Sequence, residues 1–236
     1  MTRRTPAGLL VVALFGLSAF GCSAQTSAVF QTMLAPVVVA ADPAVPVATP
    51  SGLEGALPES TWWPHPDGYA MVLPPGWGGV AVDETRARQL VDAVLVTDPE
   101  LAARLGGVLD STGTRISAIA AQTSAAEVLG PLVIVLAQPT QDRGAHAVKS
   151  LVKEQIAALP GLADGPFRDD VALPSANGVQ FEFTIADPAL GALQVRALLF
   201  RFGSDAYLVA FVAPEAEFEA AEAIFEAIAA SLRFGV

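Results

Sequence analysis

The sequence predicts an α+β domain in which a mainly antiparallel central sheet carries helices on both faces, an α/β/α sandwich. Three observations lead there. Between residues 167 and 213, β-rich runs follow one another across short turn-rich joints, so consecutive strands reverse direction. The run Ala206–Ala213 (AYLVAFVA) is apolar on both faces, which suits a central strand covered from both sides. The segment 215–232 repeats apolar residues at Phe218, Ala221, Phe225, Ile228 and Leu232, one stripe of an amphipathic helix.

Each element has its own signal. Tyr69–Leu73 is a short apolar run stopped by Pro74-Pro75-Gly76, and Trp77–Val82 resumes as strand. Asp83 caps a helix expected over 83–96, with Leu90, Val91 and Val94 at helical spacing. Asp98-Pro99 opens a second, carrying Leu101, Leu105, Val108 and Leu109 on one side. Ile116–Gln122 and Leu132–Gln138 are strands about a turn-like Ser124–Pro131. A third helix is expected over 144–159, striped by Val148, Leu151, Val152, Ile156 and Leu159 and ended by Pro160-Gly161. Phe167–Leu173 then leads to a turn at Ser175–Gly178, signalled by Asn177-Gly178. Val179–Ile185 alternates Val179, Phe181, Phe183 and Ile185 with polar residues, and Leu193–Phe202 and Ala206–Ala213 complete the sheet. On the closing helix Glu215, Glu219, Glu222 and Glu226 occupy a second face, read as solvated.

The N-terminus carries an address rather than a fold. Arg3 and Arg4 precede the twelve-residue apolar run Leu9–Phe20, which is too short to span a bilayer as a stable helix. Residues 1–21 therefore read as a secretory signal. Ala19-Phe20-Gly21-Cys22 resembles the lipobox of bacterial lipoproteins, in which the cysteine is diacylated; Ala19-x-Gly21 also suits an ordinary signal peptidase. Cys22 is the only cysteine of the chain, and a lone thiol suits an oxidising compartment better when it is acylated. Residues 22–60 form a Pro/Ala/Val-rich tether, and 61–236 a single domain.

Composition removes several classes of function. Asp and Glu outnumber Lys and Arg 24 to 13, a balance opposed to neutralising phosphates, so no nucleic acid is expected. Removing residues 1–21 takes away two Arg and no acid, so the net charge moves from −11 to −13. One Cys forbids an internal disulfide, and two His are a poor basis for zinc. No G-x-S-x-G elbow, phosphate loop or dinucleotide fingerprint occurs; Gly76-Trp77-Gly78-Gly79 reads as a turn needing φ > 0. His65, within Trp62-Trp63-Pro64-His65-Pro66, reads as part of a structured lead-in, and His146 as an exposed helical residue. Asp164, Asp169 and Asp170 lack EF-hand spacing. No catalytic residue, metal ligand or cofactor is therefore expected.

What remains is aromatic. Trp62, Trp63, Tyr69 and Trp77 hold every tryptophan of the chain, and such side chains combine apolar area with a polar edge, as binding surfaces require. They are the expected contacts for a ligand or partner. Trp77, after Pro-Pro-Gly, is expected in the core, and Trp62 with Trp63 as an exposed patch.

Asp67–Trp77 (DGYAMVLPPGW) resembles the opening hairpin of the PsbP-like or Mog-type α/β/α sandwich. Tyr207–Pro214 and Ser231–Phe234 resemble the strand and exit of its closing helix. LpqN-type lipoproteins of the cell envelope are similar candidates for relatives. The resemblance implies an exported accessory or assembly subunit, and it brings no catalytic residues. The reading is thus an exported, lipid-anchored, non-catalytic module on the outer face of a bacterial membrane. It is expected to dock an envelope protein or a small hydrophobic ligand. The alternative is a carboxylate- or metal-dependent extracytoplasmic hydrolase.

Overall fold

The structure, a computed structural model of the 236-residue chain, describes residues 60–85, 87, 115–122, 130–140, 150, 162–163, 167–173, 176–187 and 191–235. Cys22 and the tether lie outside them. Three short strands open the domain: β1 (Thr61–His65), β2 (Tyr69–Leu73) and β3 (Trp77–Ala81). β4 (Arg115–Gln122) and β5 (Leu132–Pro139) follow, then β6 (Leu162–Ala163), β7 (Phe167–Leu173), β8 (Ala176–Asp187), β9 (Gly191–Phe202) and β10 (Asp205–Pro214). Helix α1 (Glu215–Ser231) and β11 (Arg233–Phe234) close the chain.

The strands form two sheets. An eight-stranded sheet runs β3-β4-β5-β10-β9-β8-β6, with β7 also on β8, and a three-stranded sheet runs β1-β2-β11. Every pairing is antiparallel. As its two apolar faces require, β10 sits mid-sheet between β5 and β9 and is buried along nearly its whole length. One face of the large sheet, through Val133, Val135, Leu198, Tyr207, Val209 and Phe211, packs on Tyr69, Met71 and Leu73 of β2 and on Phe218, Phe225 and Ile228 of α1. The alternate residues Ile134, Leu136, Leu193, Val195, Leu208 and Val212 are buried on the other.

The expected architecture needs correction in three places. Among the described residues α1 is the only complete helix, so helices on both faces are not what is seen, and the fold is more sheet-rich. The helices expected over 83–96, 98–109 and 144–159 lie almost wholly outside the described residues; the Ala87 amide does donate to the Asp83 carbonyl (2.9 Å), the first-turn bond an Asp83 cap implies. Second, Asn177-Gly178 is not a turn. Leu173 pairs with Ala176 and Asn177 with Ala172, so the chain reverses earlier, and Gly178 lies between Val171 and Phe200 of the neighbouring strands. Third, β1, β6 and β11 are strands the sequence did not mark, each too short or too proline-broken to show alternation.

Turn chemistry places the first hairpins. The Trp77 amide donates to the Pro74 carbonyl (3.1 Å) with Gly76 at φ +76°, so Pro-Pro-Gly-Trp is a tight turn whose third position needs glycine. The turn from β1 to β2 closes by Gly68 N–H to His65 carbonyl (3.0 Å), again with glycine at positive φ. Gly79 serves a different purpose. A Cβ there would come within 2.9 Å of both Leu73 Cδ1 and the Trp63 ring, so the missing side chain lets β1 and β2 close on β3.

Candidate functional site

The polar centre of the domain grows from one irregularity in β4. Ile116 pairs with Leu136 and Ala118 with Val135, leaving Ser117 as the extra residue of a β-bulge. Its carbonyl and its hydroxyl both serve neighbouring segments. The carbonyl accepts from the Val82 amide (2.8 Å) and from His65 Nε2 (2.9 Å). Oγ donates to Asp67 Oδ2 (2.7 Å) and, its one proton so used, accepts from the Tyr69 hydroxyl (3.0 Å). Arg115, at the start of β4, reaches Asp67 Oδ2 (3.1 Å) and Asp205 Oδ2 (3.0 Å). The bulge thus ties the β1–β2 turn to the β9–β10 turn.

The backbone decides the His65 tautomer. The Asp67 amide donates to Nδ1 (3.1 Å), so Nδ1 carries a lone pair and the proton sits on Nε2, which donates to Ser117. The ring stacks on Tyr69 (4.4 Å, 12°) and meets the edge of Trp63. Burial holds the His65 pKa below 6.5 against the pull of Asp67 and the Ser117 carbonyl. Burial would raise the Asp67 carboxyl, but the Ser117 hydrogen bond and the Arg115 charge outweigh it and leave the carboxyl below 3.8. Burial pushes both tyrosine hydroxyls up, Tyr69 most of all. Arg115 loses to burial but gains more from Asp205 and Asp67, so its guanidinium stays charged.

A serine, a histidine and an aspartate within hydrogen-bond reach invite a triad, and the proton count rejects it. A nucleophilic serine must give its proton to imidazole. Here Ser117 gives it to Asp67, and both ring nitrogens of His65 are committed to backbone groups. The cluster fastens three segments of chain, and neither imidazole nitrogen faces the serine hydroxyl to take its proton.

A second ionic group lies where β8, β9 and α1 meet. Arg196 donates to Glu182 (2.8 Å) and Glu222 (2.5 Å), stands 3.7 Å from Glu226, and lies over the Phe218 ring. The glutamate row of α1 is therefore not a purely solvated face, since two of its members turn back to the sheet. Among the described residues no group of three or more His, Cys, Asp or Glu is arranged to hold a metal.

The aromatic residues singled out from sequence do not form one surface. Strand alternation sends Trp62 and Trp63 to opposite faces of β1. Trp63 packs over Gly79 and against the core, while Trp62, half-buried, pairs with Val72 on the outer face beside exposed Pro64. Tyr69 is fully buried, which removes it from any external contact. Trp77 is half-buried and edge-on to Phe225, packed against the core rather than within it as expected. Asp67, Arg115, Ser117 and Asp205 escaped the sequence reading. Their one signal was a serine inside the apolar run ISAIAA, directly preceded by Arg115-Ile116.

No protein-family model matches the chain, and no curated protein matches it. Solved structures are similar to it. CyanoP, the cyanobacterial PsbP of Synechocystis, aligns over 80% of this chain and 99% of its own at 13% identity and a TM-score of 0.45. LpqN of Mycobacterium tuberculosis, described as involved in cell envelope biogenesis, aligns over 74% and 89% at 12% identity and a TM-score of 0.47.

Proposed function

We propose that the chain is an exported, lipid-anchored accessory module at the bacterial cell envelope that binds a partner protein or a small hydrophobic ligand without turning it over. The observation that carries this reading is the position of Cys22. The only cysteine stands directly after a basic start, an apolar run and Gly21, and a proline-rich tether separates it from the domain. Diacylation would give stable anchoring, since each buried CH₂ contributes ~0.8 kcal/mol. The committed protons of His65 and Ser117 support the non-catalytic half of the reading.

The test is partition of the chain, expressed in a bacterium, between detergent and water. The native chain should enter the detergent phase, and Cys22→Ser should move to the aqueous phase. A native chain that stays aqueous means plain secretion. For the binding half, Trp62→Ala should weaken capture from membrane extract at unchanged melting temperature, and Trp63→Ala should lower the melting temperature instead. Turnover of a substrate, abolished by replacing one carboxylate, would make the protein an enzyme.

A further inference from the structure

We propose that His65 is an acid-operated latch: a second proton on its ring frees the β1–β2 turn from the β4 bulge and releases β1, while the eight-stranded sheet stays folded.

The geometry leaves the second proton no place. It must go on Nδ1, which faces the Asp67 amide at 3.1 Å, so two donors would confront each other. The carboxylate beside it is Asp67 Oδ2 at 3.9 Å, beyond hydrogen-bond distance and already accepting from Ser117 Oγ and Arg115. To come within hydrogen-bond distance of the imidazolium, that carboxylate would have to shift away from the Ser117 hydroxyl and Arg115, which hold the turn to β4. The charged and titratable groups around the ring are few: Asp67 on its own turn, Tyr69 on β2 and Arg115 on β4. Asp205 and Tyr207 of β10 stand behind Arg115. Arg115 opposes a cation and Asp67 favours one; burial, the largest influence, opposes it, so the folded ring holds a proton less well than a free one. The sign follows. Protons bind preferentially to the opened form, so the latch is complete above pH 6.5 and weakens as the pH falls below that value toward the folded pKa.

The strand that would leave lies at the edge of the smaller sheet. β1 is an edge strand paired only with β2. Beyond that pairing it is held by Trp63 over Gly79 and by the His65–Ser117 bond. The charged ring keeps its Nε2 proton, so the Ser117 bond goes only when the ring is driven out of its buried site, and that leaves β10, buried mid-sheet, untouched.

Amide exchange of the full chain in detergent, followed from about pH 7.5 to about pH 5 and normalised for intrinsic rates, tests this. Opening of β1 should rise about tenfold for each pH unit between 6.5 and the folded pKa, with β10 unchanged. His65→Gln should flatten the β1 profile, and His146→Gln should leave it as in the native chain. A flat native profile, β1 and β10 opening together, or persistence of the pH dependence in His65→Gln overturns the proposal. If His65→Gln does not fold, proton NMR of the His65 ring in the native chain decides. A midpoint below 6.5 that coincides with β1 opening supports the latch, and a midpoint at or above 6.5, or one separate from the opening, refutes it.

Discussion

Replacing Ser117 with Ala tests the polar network at its centre. The hydroxyl makes two bonds, one to the Asp67 carboxylate (2.7 Å) and one from the Tyr69 hydroxyl (3.0 Å). A hydrogen bond to a charged group contributes about 1.5–3 kcal/mol, and a buried donor left without an acceptor costs about 1–3 kcal/mol. Tyr69 is fully buried, so water cannot serve its hydroxyl, whereas Asp67 is partly exposed and keeps Arg115, which places its share at the low end. The expected loss is about 3 kcal/mol by urea unfolding. The decisive measurement is the double-mutant cycle with Tyr69→Phe. Once the phenol oxygen is gone no donor can be orphaned, so Ser117→Ala should then cost about 1–2 kcal/mol less than in the native chain. Additive losses, agreeing within about 0.5 kcal/mol, would mean that Tyr69 and Ser117 do not depend on each other, and the assignment of donors would be wrong.

Three further outcomes are expected. Phe225→Ala empties a fully buried site touching the rings of Trp77, Phe211 and Phe218, and should cost about 3–5 kcal/mol in chemical denaturation; Glu222→Gln, which leaves Arg196 its bond to Glu182, should stay within about 1 kcal/mol, and equal losses would refute the packing of α1. Gly79→Ala puts a methyl 2.9 Å from Leu73 and Trp63, and should cost about 1–3 kcal/mol and shift tryptophan emission; an unchanged spectrum would show that Trp63 does not cover that strand. Asp67 is held below 3.8, so it contributes stability at neutral pH that is lost as the pH falls below 3.8 through its folded value, and Asp67→Asn should remove that acid limb from a plot of melting temperature against pH.

The strands that carry the core were legible because their signals are physical necessities. Phe181, Phe183 and Ile185 alternate because one face of β8 is buried, and AYLVAFVA is apolar throughout because β10 has two buried faces. The stripe on α1 was legible for the same reason: Phe218, Ala221, Phe225 and Ile228 are the apolar residues it buries, beside Ser231. The polar network was not legible. It joins residues 48 to 90 positions apart, and only pairing brings Asp67 and Asp205 to Arg115. A bulge is a property of register between two strands, so Ser117 carries no local mark of it. The Asn177-Gly178 turn failed for a related reason, since two neighbouring strands claim Gly178 and the ladder prevails over the local preference. Trp62 and Trp63 misled because adjacency in sequence means opposition in a strand.

The two arginine clusters explain how so acidic a chain closes its sheets. With 24 acids against 13 bases, carboxylates from different strands are bound to meet, and two of them close together without a cation repel. Arg115 separates Asp67 from Asp205, and Arg196 separates Glu182 from Glu222 and Glu226. Each guanidinium offers several donors in a fixed plane, which one lysine ammonium cannot match for two carboxylates on different elements. Only Lys149 and Lys153 occur in the whole chain, so its cations are almost all of the kind suited to bridging. Both bridges join elements distant in sequence: the β1–β2 turn to β10, and β8 to α1. Replacing either arginine with a neutral residue would lose its bonds and also leave the carboxylates facing one another. Arg115→Gln should therefore unfold more easily at low salt than at high salt, where screening relieves Asp67 and Asp205, and a loss independent of salt would show that repulsion between them has no part in it.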